Sequence, residues 1–195
     1  MDPTDLLRLE SAEEEVITAG VARGAGFQDT SKDTPVSHTE RDIHFLRESF
    51  RLAEEAGKQG IHPFAAILVD ADGTVLMEQL NAFLPDHDMT GHAERVLMTR
   101  ANTTYSPEVL AGCTMYTSAE PCAMCSGAVY WAGVGRVVYG ASEKRLKDMT
   151  GNHPENPTLD LPCRTVFESG QRRVEVIGPL LEDESIRVHE DFWKD

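Results

Sequence analysis

Two short motifs constrain this 195-residue chain more than any other feature of its sequence. One is Gly-His-Ala-Glu at residues 91–94, and the other is Glu-Pro-Cys-Ala-Met-Cys at residues 120–125. Each motif follows a β-rich segment and opens a helical pattern, with Pro121 at a position that favours a helix start. If the two motifs share one site, the fold has to bring both strand-to-helix turns together.

The cysteines favour metal or redox chemistry over a disulfide. There are four in the chain, and the acidic N-terminal segment lacks the apolar core of a secretory signal. We therefore expect a reducing, cytoplasmic location. There, Cys-x-x-Cys more often binds a metal or takes part in redox chemistry than forms a structural disulfide. The longest apolar run, at residues 64–69, is far too short to span a bilayer, so no membrane partner is expected.

The residue types fit a zinc site with an open position. Cys122 and Cys125 lie at i and i+3, on one face of a helix and at its N-terminus, where the dipole favours thiolates. His92 also stands at a helix start and can supply a third ligand. Catalytic zinc keeps three protein ligands and leaves the fourth position open. The spacing therefore predicts one Zn²⁺ per chain, held by His92, Cys122 and Cys125.

Glu94 is the residue that indicates catalysis. Residues two apart on a helix point roughly 200° away from each other, so His92 and Glu94 are poorly placed to bind one ion together. A carboxylate near the metal but off it can move protons to and from water. Two alternatives stay open: a thioredoxin-like dithiol, and a closed structural zinc with Cys113, Cys163 or His153 as fourth ligand.

Hydrophobic periodicity predicts a two-part chain. Residues 1–38 form an N-terminal extension, with a short helix followed by a linker rich in Gly, Ser, Thr, Asp and Pro. Residues 39–195 follow the order helix, strand, strand, helix, strand, helix, strand, long loop, strand and helix. Strands separated by crossover helices indicate an α/β fold with a mixed sheet. The connection at residues 142–171 is long, and connections of that length are often functional or disordered.

The combination of H-x-E with P-C-x-x-C is a signature of zinc deaminases. The stretches HPFAAILVD, GHAE and MYTSAEPCAMCSGAVYWAGVGRVVYGAS resemble the cytidine-deaminase-like superfamily, in its branch of bacterial guanine, cytosine and tRNA-adenosine deaminases. The resemblance runs from about Thr39 to the C-terminus. It implies a three-layer αβα domain with a mixed five-stranded sheet, and a homodimer.

The resemblance also implies roles for individual residues. The zinc ligands would be His92, Cys122 and Cys125, and Glu94 would shuttle protons. The substrate contacts would come from Asn81, Phe64, the backbone N–H of Ala93, Glu143 or Asp148, and Trp193. The implied reaction is hydrolytic deamination, in which oxygen replaces an exocyclic amine and ammonia leaves.

Charge bears on the class of substrate. The formal net charge is −15, with 18 basic residues against 33 acidic ones, which makes a nucleic-acid partner unlikely. We therefore expect a free nucleobase or nucleoside. The stretch GAVYWAG resembles the guanine deaminase branch, which implies guanine-type purines first and cytosine or cytidine next. The alternatives are a tRNA adenosine deaminase and a zinc-stabilised dimeric subunit that has lost catalysis.

Overall fold

The computed structural model describes residues 37–151 and 153–193. The predicted extension at residues 1–38 therefore lies outside the described residues, apart from its last two. The helices are α1 (Glu40–Lys58), α2 (Ala93–Thr104), α3 (Pro107–Ala111), α4 (Ala123–Ala132), α5 (Glu143–Thr150), α6 (Cys163–Glu168) and α7 (Glu182–Ile186). The strands are β1 (Ala65–Val69), β2 (Val75–Leu80), β3 (Thr114–Ala119), β4 (Arg136–Ala141) and β5 (Glu175–Ile177).

The five strands form one mixed sheet in the order β2-β1-β3-β4-β5. Strand β1 pairs antiparallel with both β2 and β3, whereas β3, β4 and β5 run parallel. The β1–β2 hairpin turns at Asp70, whose Oδ1 accepts from the backbone N–H groups of residues 72, 73 and 74. The predicted hairpin and the predicted mixed five-stranded sheet are both confirmed.

Burial on both faces of β1 shows why the domain has three layers. Ala65, Ile67 and Val69 pack with α1, while Ala66 and Leu68 pack with α2 and α4. Alternate residues of a strand point to opposite faces, so a strand of five buried residues has to be covered on both sides. The predicted αβα arrangement follows from this pattern.

Helices α3, α5 and α6 lie inside segments that the predicted order treats as connections. Helix α3 has five residues and helix α6 has six, and segments this short carry little hydrophobic periodicity. The last predicted helix is shorter than expected, because α7 gives way to a 3₁₀ turn at Arg187–His189. Among the described residues, no helix combines the length and the apolar character that crossing a membrane requires.

A buried ion pair fixes α1 to the sheet. Asp42 is almost fully buried and accepts from Arg136 at 2.6 and 3.0 Å and from Tyr116 Oη at 3.0 Å. Its carboxylate also accepts from the N–H of Thr39, which caps α1. Burial alone raises the pKa of Asp42, but the bonds from Arg136 and Thr39 outweigh it and hold that pKa well below its usual range.

We expect Asp42→Asn to lower the free energy of unfolding by about 3 kcal/mol at pH 7, because it leaves the Arg136 guanidinium partly buried without its main counter-charge. Since the pKa of Asp42 is depressed in the folded state, this contribution is complete above about pH 4 and is lost on further acidification. Urea unfolding at pH 7 and pH 3 measures both effects. Glu175→Gln, which removes the more exposed partner of Arg136, is the control and should cost under about 1 kcal/mol. An Asp42→Asn protein as stable as that control would contradict this account.

Candidate active site

Helices α2 and α4 start next to each other, and the two sequence motifs meet there. His92 is the N-cap of α2 and Cys122 is the N-cap of α4, both with extended backbone. Behind them, Leu97 of α2 and Val129 of α4 are fully buried in the same core cluster. Core packing of the two helices thus brings together residues that lie far apart in the sequence.

Three donor atoms converge at this junction. His92 Nδ1 lies 3.6 Å from Cys122 Sγ and 3.6 Å from Cys125 Sγ, and all three donors lie within 4.8 Å of one another. A tetrahedral zinc with Zn–N of about 2.0–2.1 Å and Zn–S of about 2.3 Å separates its nitrogen and sulfur ligands by about 3.6 Å. The donor types and both nitrogen–sulfur distances therefore fit zinc.

The two thiols differ in pKa, and Cys122 is the one that favours the thiolate form. A hydrogen bond from Cys125, with another from His92, lowers the pKa of Cys122 to about 4. The same bond and burial raise the pKa of Cys125, and the bond with Cys122 raises the pKa of His92. Without a cation, hydrogen bonds among the three groups stabilise the thiolate of Cys122. A divalent ion can take the place of the protons in these hydrogen bonds.

Glu94 lies beside the donors. Its Oε2 accepts from Cys125 Sγ at 3.6 Å, and its Oε1 accepts from Thr117 Oγ1 at 3.3 Å. Burial raises the pKa of this carboxyl group. A buried carboxyl group held from two sides next to the donors is placed to take up and release a proton.

Gly91 allows the loop before His92 to pass close to the end of β2. The N–H of Ala82 donates to Gly91 O at 2.7 Å, and a Cβ atom on Gly91 would lie 2.4 Å from Ala82 O. Any larger residue would push the loop away from the strand. Gly91 therefore helps to set the position at which His92 enters the site.

A cavity of about 270 Å³ opens over these groups. It is enclosed by residues of both motifs, by the end of the hairpin and by the connection between α5 and α6. The lining includes Phe64, Asn81, Met89, His92, Glu94, Glu120, Cys122, Glu143, Glu155, Asn156 and Leu159. This volume is near the lower end for small-molecule pockets, which start at about 300 Å³. The cavity suits one compact ligand.

Asn81 and Phe64, the substrate contacts that the resemblance implies, both line this cavity from the hairpin side. Asn81 is buried, and its Oδ1 accepts from the N–H of Phe83 at 2.8 Å, which leaves its Nδ2 group as the donor for a ligand. The N–H of Asn81 bonds to Phe64 O at 2.9 Å, so the two residues are held together. Ala93 is the first residue of α2, where helical geometry provides no acceptor for its N–H.

Glu143 reaches the cavity from the first turn of α5, whereas Asp148 is not among the lining residues. Burial, and then the charge at Cys122, raise the pKa of Glu143 to about 7. Its N–H donates to Glu120 Oε2 at 3.1 Å, and Glu120 Oε1 accepts from the N–H of Cys163 at 2.9 Å. The buried Glu120 thus ties the starts of α5 and α6 to the cysteine motif.

Trp193 lies behind the cavity wall. Its ring contacts Phe64 at 6.2 Å and His62 at 5.1 Å between centroids, and its Nε1 donates to His189 Nδ1 at 3.2 Å. Its nearest link to the cavity is therefore through Phe64. Cys113 and Cys163 are buried elsewhere in the core, and His153 contacts Trp193.

Comparison with known proteins places this site in a family. A sequence profile of the cytidine and deoxycytidylate deaminase zinc-binding region matches residues 39–141, which include both motifs. The chain belongs to this family. The cluster of one histidine and two cysteines accordingly lies within the region that gives the family its zinc-binding description.

Relatives in this deaminase family carry different names. A probable cytosine deaminase of Schizosaccharomyces pombe is 41% identical over 157 residues, which cover 80% of this chain and 94% of the relative. A tRNA-specific adenosine deaminase of Buchnera aphidicola is 26% identical over 154 residues, with coverage of 79% and 95%. A solved guanine deaminase from Nitrosomonas europaea superimposes with a TM-score of 0.64 at 23% identity, covering 83% of this chain and 88% of that one. This chain is therefore a deaminase with the fold of these enzymes.

Sequence reasoning missed part of the deaminase pocket. Glu155, Asn156 and Leu159 line it from residues 153–162, which form no helix or strand, and none of the three was predicted. The loop carried one signal, its unusual length. Which of its side chains face the pocket depends on backbone turns that have no period in the sequence.

Proposed function

We propose that the protein is a zinc-dependent hydrolytic deaminase of a free nucleobase or nucleoside. The observation that carries this proposal is the compact cavity lined by His92, Cys122, Glu94, Asn81 and Glu143. The buried Cys125 completes the donor group next to His92 and Cys122. Such a site can hold a flat, polar ring against a metal and a proton carrier.

His92, Cys122 and Cys125 would hold the ion. Zinc at this position supplies a Lewis acid that acidifies water at neutral pH. Glu94 takes a proton from the attacking water and delivers a proton to the departing amine, so that the products are the oxo-substituted ring and ammonia. Its hydrogen bonds with Thr117 and Cys125 hold the carboxyl group beside the donors.

Other side chains hold the ring. Asn81 Nδ2 donates to a ring acceptor, the N–H of Ala93 faces the ring carbonyl, and Phe64 packs on the ring face. Glu143, with its pKa raised to about 7, accepts from a ring N–H when charged and donates to a ring nitrogen when protonated. Trp193 supports Phe64 from behind.

Cytosine and guanine are the bases to test first. Cytosine is favoured by the S. pombe relative, which aligns over almost its whole length. Guanine, the first choice from sequence, is supported by the acidic Glu143 in the pocket and by the guanine deaminase fold. A tRNA substrate is disfavoured by the net charge of −15, although several relatives are named tRNA-specific adenosine deaminases.

Ammonia release from the zinc-loaded protein tests this function. The panel is cytosine, cytidine, guanine, guanosine, adenine and a tRNA anticodon stem-loop, each with and without protein. We expect release from one free base or nucleoside at a kcat of about 1 s⁻¹ or more. Release from the stem-loop alone would replace our proposal with tRNA editing, and no release from any of them would favour a non-catalytic subunit.

We also propose a cytoplasmic homodimer. Trp131 on α4 is 84% exposed, which is unusual for the largest apolar side chain and marks α4 as a candidate interface. A cytoplasmic location is supported by the site itself, since the two cysteines have to stay reduced to act as ligands. Sedimentation of wild type and Trp131→Lys measures the assembly.

A further inference from the structure

His62 is a buried histidine with an unusual environment. It lies between α1 and β1 and is 6% exposed. Its ring stacks on Phe83 with centroids 4.5 Å apart and an interplanar angle of 14°, and it also contacts Phe192 and Trp193. These rings cover both the face and the edges of the imidazole. The side chain is therefore held in one orientation by packing.

That orientation aims one ring nitrogen at the connection between α5 and α6. His62 Nε2 donates to Glu155 Oε2 at 2.9 Å. The side chain of Glu155 is 47% exposed, whereas that of His62 is buried. His62 is therefore the more rigidly held partner of the two. Glu155, Asn156, Pro157 and Leu159 all line the cavity. The bond thus joins the hairpin side of the pocket to its loop side.

The loop segment at residues 153–162 has further attachments at its base. Asn156 Nδ2 donates to Thr150 Oγ1 at 3.2 Å, and Lys147 Nζ pairs with Asp160 at 2.9 Å. Both partners belong to the last turns of α5. They tie two points of the segment to α5, whereas His62 contacts it from the hairpin side.

The His62–Glu155 pair also borders a small crevice next to the cavity. This crevice has a volume of about 10 Å³ and lies between the pair and Asn81, Met89 and His92. Such a volume accommodates about one water at most. The pair is therefore packed close to the hairpin side of the site.

We propose that His62 is a positioning residue for substrate binding: through its bond to Glu155 it holds segment 153–162 as a wall of the base pocket. This proposal rests on the proposed function. His62 does not touch the donor group and takes no part in proton transfer. Its loss should therefore weaken substrate binding and leave the chemical step almost unchanged.

The test compares His62→Phe, Glu155→Met and the double variant. His62→Phe keeps a ring that can stack on Phe83 and removes the donor nitrogen, and Glu155→Met keeps a similar length and removes the acceptor oxygens. We expect KM for the active base to rise about tenfold in each variant, with kcat within about twofold and zinc content unchanged. The KM of the double variant should be no higher than that of the more impaired single variant, because all three variants lack the same bond.

Arg51→Gln is the control, because it breaks exposed ion pairs on α1 that do not involve segment 153–162, and its KM should stay within about twofold of wild type. Equal losses in kcat and kcat/KM in His62→Phe, an additive double variant, or an unchanged KM would each overturn the positioning role.

Hydrogen exchange separates this proposal from the proposed function. Amide exchange in residues 155–161 should be at least about tenfold faster in His62→Phe than in wild type, whether or not any base is a substrate. If exchange is faster in the variant but the wild-type protein deaminates nothing on the panel, the positioning of segment 153–162 by His62 is supported. The proposed substrate class, a free nucleobase or nucleoside, is then wrong. If exchange is unchanged in His62→Phe, His62 does not hold segment 153–162, even if the enzyme is active.

Discussion

Glu94→Gln should abolish turnover and leave the metal in place. The change keeps the size of the side chain and its hydrogen bond with Thr117, but removes the group that takes up a proton. Proton transfer of this kind contributes about 10²–10⁴-fold, and we expect kcat to fall by about 10³-fold. Ammonia release and zinc analysis on the same preparation measure the two quantities together.

Two comparisons make this result interpretable. Glu108→Gln makes the same chemical change on the exposed face of α3 and should leave kcat unaltered. Substrate affinity of Glu94→Gln, measured by equilibrium binding, should stay within about threefold of wild type, because the base is held by other residues. A Glu94→Gln enzyme that keeps a tenth of the wild-type kcat would exclude the proton-carrier role.

The fold could be predicted from local signals because most of its elements have strong ones. Strand β1 is a continuous apolar run, and the turn after it contains the Asp70 that caps three N–H groups. Helix α4 follows a proline and ends at Gly133, which takes a left-handed conformation. Helices α3 and α6 were missed because five or six residues are too few to show a helical period.

The same contrast applies to the site. His92, Glu94, Cys122 and Cys125 could be selected from sequence because their residue types and spacing match the coordination chemistry of zinc. Glu120 and His62 could not, since each acts through a partner that is remote in the chain: Glu120 through the N–H of Cys163, and His62 through Glu155. Residues that position others have no spacing rule, and only the folded structure identifies their partners.

Loss of the zinc ligand Cys122 should have the second large effect on activity. It should also distinguish the open zinc site from a thioredoxin-like dithiol and from a closed structural zinc. We expect Cys122→Ser to lower zinc affinity at least about 100-fold, because it removes a thiolate that binds the ion directly. Changes to residues that only contact a ligand lower metal affinity by about 10–100-fold, and loss of a ligand should cost at least as much. Deaminase activity should disappear with the metal. The melting temperature should also fall, since an ion that binds only the folded state stabilises it.

Cys113→Ser is the matched control, because it makes the same change at a buried thiol outside the donor group. Zinc content after dialysis against a competing chelator should stay at about one per chain in this control and fall well below that in Cys122→Ser. If Cys113→Ser lost the metal as well, the site would be a closed structural one with Cys113 as fourth ligand. If Cys122→Ser kept a full zinc, the ligand assignment would be wrong, and a thiol pair with redox chemistry would become the better explanation of the Cys-x-x-Cys motif.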